Sequence, residues 1–146
     1  MDDDMQDLAA ATRSEGIRTR HERMANGEVR FRLLAGDGSA YIRTIAGRDG
    51  AWQNSHYHKS VVETYIVQRG WAALVELAGD QPVWHILRSG DVFTTKPNVS
   101  HNIYMPPGSA LHTVKHGSGE QDDWHPCPKL DVLTKSLSEP EILSQG

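Results

Sequence analysis

The sequence predicts an all-β fold, a sandwich or a barrel, and three observations support this class. Short runs in which apolar and polar residues alternate recur between residues 29 and 116. Clusters of glycine, proline, asparagine, aspartate and serine separate these runs about every ten residues, as is typical of sandwiches and barrels. The chain has 146 residues, which is enough for one domain with a sizeable core and hardly enough for two. We therefore expect a single domain over residues 1–146.

A brief helix is expected before the strands, over about residues 4–13. Met5, Leu8 and Ala9 have helical spacing, and the acidic residues at 2–4 lie where a helix dipole favours negative charge. The apolar stripe does not continue past Ala9, so the predicted helix is short.

The strands are expected to begin at Val29, where the period of the sequence changes to two. Val29, Phe31 and Leu33 alternate with two arginines, and the turn sequence GDGS then leads into a second run over 41–46. This pattern predicts a β-hairpin. Further strands are predicted at 61–67, 71–77, 82–87, 91–95, 101–105 and 110–116. The barrel core is therefore expected over about residues 28–117.

The strand pattern ends near Gly117, and residues 118–128 are typical of a loop. A loop in this position can cover the mouth of a barrel, but its sequence does not assign it a role. Asp122 and Asp123 are expected to be solvated charges, and Cys127 an ordinary thiol.

A short helical tail is expected over about residues 128–144, packed outside the barrel. Apolar residues recur there near helical spacing, at Leu130, Val132, Leu133 and Leu137. Ser138 and Glu141 have the spacing of a capping box for a last turn.

The composition excludes several classes of partner. The net charge is −4 and no basic cluster stands out, so nucleic acid is not expected. No apolar run approaches the roughly 20 residues of a membrane helix. The acidic start of the chain is unlike a signal peptide, and the expected location is the cytoplasm.

Residue counts also restrict the kind of metal site. The single cysteine cannot form an internal disulfide or a zinc site made of several thiolates, whereas eight histidines are available. Any metal would therefore be held by histidine and carboxylate.

The stretch from Gly50 to Gly70 contains a candidate metal site. In a strand, alternate residues share a face, so His56 and His58 would point to the same side, about 7 Å apart along the backbone. A turn over 59–62 would place Glu63 on the neighbouring antiparallel strand, beside the histidine pair. Two histidines and one carboxylate, with open positions, suit first-row transition metals that bind substrate or dioxygen directly.

These residues resemble the first motif of the cupin family. That motif is a glycine, five residues, His-x-His, three or four residues, a glutamate, six residues and a glycine. Gly50, His56, His58, Glu63 and Gly70 match every position.

A second cupin motif is visible in GDVFTTKPNVSHNIYM, residues 90–105. Gly90 opens it, and His101 stands where the family places its third histidine ligand. Asn98 replaces a glycine of the motif, a substitution that fits because asparagine also accepts the left-handed conformation. Met105 occupies a position where the motif often carries asparagine.

The resemblance covers about residues 40–116 and implies a jelly-roll barrel with a metal between its sheets. It implies that His56, His58, Glu63 and His101 bind one divalent first-row metal, either iron, manganese, zinc or nickel. The implied function is a metal-dependent enzyme, an oxygenase, isomerase or lyase acting on a small polar molecule such as a sugar or organic acid. The alternative is a non-catalytic cupin that binds a sugar or small molecule, associated with carbohydrate metabolism. A homodimer is expected.

Other residues are candidates for the cavity. Tyr65 should point the same way as Glu63 and is the candidate catalytic residue, as an acid, a base or a group that orients substrate. Tyr57 and His85 are expected to be structural. In the run 110–116, alternation places Lys115 on one face and His112 and His116 on the other, without indicating which face is internal. A solvated edge strand is the favoured interpretation of this run.

Overall fold

The computed structural model describes residues 16–117 and 123–146. The helix expected over 4–13 lies outside these residues. The described chain forms two antiparallel sheets of six strands each, followed by two short helices.

The first sheet contains the strands β1 (Ile17–Arg23), β2 (Val29–Ala35), β3 (Ala40–Ile45), β6 (Val62–Arg69), β9 (Val92–Thr94) and β11 (Ala110–His116). Their spatial order is β1-β2-β3-β11-β6-β9. β11 is therefore a central strand between β3 and β6, and the expectation that this run is a solvated edge strand is wrong. Its amide and carbonyl groups are paired on both sides, because β11 lies between β3 and β6, which both precede it in the chain.

The second sheet contains the strands β4 (Ala51–Trp52), β5 (His56–Tyr57), β7 (Trp71–Ala78), β8 (Gln81–Arg88), β10 (His101–Met105) and β12 (His125–Pro126). The order is β12-β5-β10-β7-β8, with β4 also paired to β10. β10 is buried at every residue and lies at the centre of this sheet.

The predicted strands are present, with ends that shift by one or two residues, and β10 and β11 have the predicted bounds. Three strands were not predicted from the sequence. β1 alternates charged and small polar residues without an apolar face, while β4 and β12 have only two residues each. Strands of these kinds leave too little periodic signal to detect.

The helical tail consists of α1 (Pro128–Thr134) and α2 (Glu139–Leu143). The capping box predicted at Ser138 is present, with Glu141 bonding back to the Ser138 backbone. Ile142 of α2 packs with Tyr104 and Ala73 on the outer face of the second sheet, so the tail covers that face.

The main hydrophobic core lies between the sheets. Its members are Tyr65, Val67, Ala72, Leu74, Leu87, Ile103, Met105 and Leu111, each at most 7% exposed. Met105 thus takes an apolar role at the motif position that often carries asparagine. Within the described residues, no helix is long and apolar enough to cross a membrane.

Candidate metal centre

Four buried side chains converge between the sheets: His56, His58, Glu63 and His101. One potential ligand atom from each lies within 4.8 Å of the other three. The structure thus brings together the four residues named by the two sequence motifs.

The two sheets contribute these side chains unequally. His56 on β5 and His101 on β10 are cross-strand partners in the second sheet, and His58 follows β5 directly. Glu63 lies on β6 in the first sheet. The expectation that Glu63 occupies the neighbouring strand of the same sheet is wrong, because residues 59–61 carry the chain from one sheet to the other instead of closing a hairpin.

One carboxylate oxygen lies at the centre of the cluster. Glu63 Oε1 is 2.7 Å from His58 Nε2, 3.2 Å from His101 Nε2 and 3.4 Å from His56 Nε2. All three rings therefore present the same nitrogen to one point.

The other ring nitrogen of each histidine donates to a backbone carbonyl. His56 Nδ1 donates to Asn54 O at 2.8 Å and His101 Nδ1 to Val99 O at 3.1 Å, while His58 Nδ1 donates to the carbonyl of Asp123. Because a carbonyl only accepts, each Nδ1 carries a hydrogen, and each ring, once neutral, would offer its Nε2 lone pair to a metal at the centre. Three nitrogen lone pairs and one carboxylate fit a first-row divalent metal.

The local electrostatics keep Glu63 ionised. Burial alone would raise its pKa, but hydrogen bonds from the three histidines overcome this and hold the pKa of Glu63 well below its usual range. Burial lowers the pKa of His56. Burial also acts to lower the pKa of His58, but its hydrogen bond to Glu63 and the charge of that carboxylate outweigh this and raise it. The cluster therefore offers a negative oxygen among imidazoles, as a cation site requires.

Backbone conformation explains two residues of the motifs. Gly50 has φ +70°, and a Cβ there would lie 2.8 Å from the Tyr104 hydroxyl and 2.9 Å from the Met105 carbonyl oxygen. Only glycine fits this approach to β10. Asn98 has φ +64°, so the asparagine does adopt the left-handed conformation expected of it, three residues before His101.

No protein-family model matches the sequence, and no curated protein matches it. Solved structures do match. Oxalate decarboxylase from Bacillus subtilis at pH 4.6 superposes with a TM-score of 0.61 at 14% identity, over 88% of this chain and 37% of that chain. An arginine-to-alanine mutant of the same enzyme gives a TM-score of 0.61 at 17% identity, over 86% of this chain and 34% of that chain.

A further structure of that enzyme, from work on its Mn(II) centers, gives a TM-score of 0.60 at 14% identity over the same 88% and 37%. The chain spans little more than a third of the length of these neighbours. Oxalate decarboxylase is a cupin. The chain has the cupin fold. The jelly-roll architecture implied by the two motifs is thereby confirmed.

A segment outside the two cupin motifs supports the first two histidines. The Asp123 carboxylate accepts hydrogen bonds from the backbone N–H groups of Lys59, Ser60 and Val61, at 2.7–2.9 Å. Its backbone carbonyl accepts from His58. The expectation that Asp123 is a solvated charge is therefore wrong, since its side chain is only 7% exposed.

The residues after Asp123 also cover the histidine pair. Trp124 stacks on His56 with ring centroids 5.3 Å apart, and His125 stacks on Tyr57 at 5.0 Å. β12 pairs with β5 directly. The sequence singled out this loop, but stacking between residues almost 70 positions apart leaves no local pattern to detect.

A cavity of about 630 Å³ opens beside the cluster of His56, His58, Glu63 and His101. Its lining includes His56, Glu63 and Tyr65, together with Trp52 and Trp124. The volume lies in the range of cavities that bind small-molecule ligands.

The structure assigns the two faces of β11. Thr113 and Lys115 line the cavity. His112 lies on the outer face, bonded to Tyr41 and Gln68, and His116 bonds Thr64 there. The inward group is thus the ammonium rather than the two imidazoles.

Tyr65 lines the same cavity and is 2% exposed. Its ring centroid is 6.3 Å from that of His101. Burial, with the negative charge of Glu63 beside it, raises the pKa of Tyr65 well above its usual value. Tyr65 is therefore a protonated phenol at neutral pH. His85 pairs with Glu76 at 3.0 Å and packs on Phe93.

Proposed function

We propose that this chain is a metal-dependent cupin enzyme that acts on a small organic acid. His56, His58, Glu63 and His101 would hold one divalent first-row metal. The observation that carries the proposal is the convergence of three Nε2 atoms on one buried carboxylate oxygen, with every Nδ1 committed to a backbone carbonyl.

The open side of the cluster faces the cavity, since His56 and Glu63 both line it. Four protein ligands would leave open positions on a first-row ion for a substrate. A metal held there would supply Lewis acidity to a substrate oxygen. The protein supplies a pocket that orients the acid beside that position and limits the access of water.

Tyr65 would donate a proton or a hydrogen bond to the bound acid. Its raised pKa favours this role over that of a base, because the phenolate is not populated near neutral pH. Its side chain faces the cavity on the same strand as Glu63.

Two observations favour an organic acid over a neutral sugar. The cavity lining carries Lys115, which has no ion-pair partner among the described residues, and the neighbouring fold belongs to an enzyme named for oxalate. Manganese leads the proposed metals, ahead of iron, zinc and nickel, because Mn(II) centers are named for that neighbour. The proposed compartment is the cytoplasm.

Elemental analysis of protein purified without chelator tests the metal. We expect about one equivalent of a first-row metal in the wild type and less than a tenth of that in His58→Ala, because a buried ligand is removed. His112→Ala is the matched control: it removes an imidazole from the outer face and should leave the metal content unchanged. A wild type that stays empty after exposure to manganese, iron, zinc and nickel in turn would contradict the proposal.

Turnover is tested separately on the metal-loaded protein, with oxalate and longer acids, in air and under nitrogen. Loss of substrate that depends on metal supports an enzyme, and a requirement for air distinguishes an oxygenase from a lyase or isomerase. Binding of acids without any turnover would favour the alternative, a non-catalytic binding cupin.

A further inference from the structure

Most cations of the cavity already have a carboxylate partner. Arg30 donates through Nε and Nη2 to Glu28, Arg32 pairs with Glu22 at 2.6 Å, and Lys135 lies 3.6 Å from Asp131. Each of these pairs is close to neutral. They shape the wall of the cavity but leave little net charge for a ligand.

Lys115 is different from these three. It lies on the inner face of β11, directly across from Glu63 on β6, and it is half-buried. Within residues 16–117 and 123–146, no carboxylate lies within ion-pair distance of its ammonium group. Glu63 is the nearest acidic residue in register, but its oxygen faces the three histidines.

The charge of Lys115 acts on Glu63, but once a divalent metal takes up that carboxylate, the half-buried ammonium has no counter-ion unless a ligand supplies one. Its flexible stem lets it reach a carboxylate in the cavity as a point charge. The position of Lys115 beside the metal-ligand cluster would place that carboxylate close to the metal.

The charges of the site as a whole indicate the charge of the ligand. The three histidines are neutral when they bind a metal, and Glu63 offsets one of the two charges of a divalent ion. Lys115 adds one positive charge. The site therefore has an excess of two positive charges, which a dianion would balance.

The size of the cavity indicates a ligand longer than oxalate. About 630 Å³ is available, and the lining extends across the first sheet to Arg32 on β2. In register, Arg32, Ile42, Thr113 and Tyr65 form one row across the inner face. At a strand spacing of about 4.8 Å, this row is about 14 Å long.

We propose that this cavity binds a dicarboxylate with a carbon spacer between its acid groups, and that Lys115 is the cation that binds one of the two carboxylates. The proposal rests on the proposed function, because a bound divalent metal contributes one of the two excess charges. Arg30 and Arg32, each held by its glutamate, form the polar wall along which the rest of the acid lies.

Calorimetric titration of the metal-loaded protein tests this proposal. The probes are oxalate, malonate, succinate and glutarate, with butyrate as the monoanion that matches succinate in carbon number. We expect succinate or glutarate to bind at least about tenfold more tightly than butyrate and than oxalate, because a carboxylate paired with a partly buried ammonium forms a strong hydrogen bond.

Lys115→Met is the decisive variant, since it keeps the length of the side chain and removes the charge. It should lose most of the preference for succinate over butyrate while retaining one equivalent of metal. Arg43→Met is the matched control. It removes a cation of the same sheet that lies over Phe31 on the outer face, and it should bind both acids as the wild type does.

The outcomes separate this inference from the proposed function. A loaded protein that binds succinate and butyrate equally, or a Lys115→Met variant that keeps the preference, overturns the inference and leaves the metal site standing. If oxalate binds more tightly than every longer acid, the inferred length of the ligand is overturned. Failure to load any metal overturns the proposed function and, with it, this inference.

Discussion

The two ring nitrogens of each candidate ligand histidine have different partners. Nδ1 donates to a backbone carbonyl, and Nε2 points at Glu63. The backbone thereby favours the tautomer that each neutral ring needs to bind a metal through Nε2. Substituting the histidines would remove both a ligand and a hydrogen bond, whereas Tyr65→Phe keeps all four candidate ligands and removes only the hydroxyl that bonds Glu63.

We expect Tyr65→Phe to retain one equivalent of metal and to lower the unfolding free energy by about 1 kcal/mol, the usual cost of one buried hydrogen bond, which here joins the phenol to Glu63. In any acid turnover by the loaded protein, it should lower kcat by about 100-fold, because proton donation is lost. Elemental analysis, urea unfolding and substrate loss measure these three effects. An unchanged kcat would contradict a role for the phenol in proton transfer, and Tyr41→Phe on the outer face is the control.

At the scale of elements, β12 and the two residues before it hold the strand that carries His56. Asp123 fixes three consecutive amides that follow His58, and Trp124 lies flat on the His56 ring. The turn that crosses between the sheets therefore depends on a side chain more than 60 positions away. Loss of that side chain should loosen the turn and, with it, the spacing of the first two histidines.

We expect Asp123→Ala to lower the unfolding free energy by about 1–2 kcal/mol near pH 7, the range for losing a side-chain cap on backbone amides. Burial alone would raise the pKa of Asp123, but the three amide donors hold it well below its usual range. A carboxyl group whose folded pKa is depressed stabilises the protein above its unfolded pKa of about 3.9, and this contribution disappears as pH falls through the folded value.

The difference between the wild type and Asp123→Ala should therefore be constant from pH 7 to about pH 5 and shrink in stronger acid. Urea unfolding at a series of pH values measures it. Asp80→Ala is the control, since that carboxylate is exposed and pairs with the exposed side chain of Lys129. A difference that grows on acidification would contradict the assigned role.

At the scale of the whole molecule, the outer face of the first sheet remains open within the described residues. Ile17, Val92 and Val114 are 39%, 59% and 38% exposed there. Val29, Phe31 and Leu33 lie on the same face, because the two arginines between them face the cavity. An apolar face of this kind suits the homodimer that the sequence led us to expect.

Sedimentation velocity of the purified chain should give the mass of a dimer. Val114→Glu should shift it towards the monomer, because a charge on the outer face would be buried without a partner. Val132→Glu is the matched control, since Val132 is 79% exposed on α1. A wild-type monomer at micromolar concentrations would contradict the prediction.

The two motifs made the four candidate ligands predictable from their fixed spacings. These spacings correspond to the turn between His58 and Glu63, the turn before His101, and the cross-strand pair of His56 and His101. The direction of Lys115 was not predictable, since alternation defines two faces without saying which is internal. On β2, the usual preference for apolar residues in the interior would have predicted the wrong inner face, because Arg30 and Arg32 line the cavity. Asp123 was hidden for another reason: its partners are backbone amides, which carry no residue identity.

Because the four candidate ligands come from both sheets, a bound metal would affect how fast the protein is degraded in a cell. An ion held by Glu63 from one sheet and by three histidines from the other would cross-link the two sheets. Opening the barrel would then require release of the ion, so each increase in free metal would slow unfolding and proteolysis. The abundance of the protein would rise and fall with the supply of its metal, even at a constant rate of synthesis.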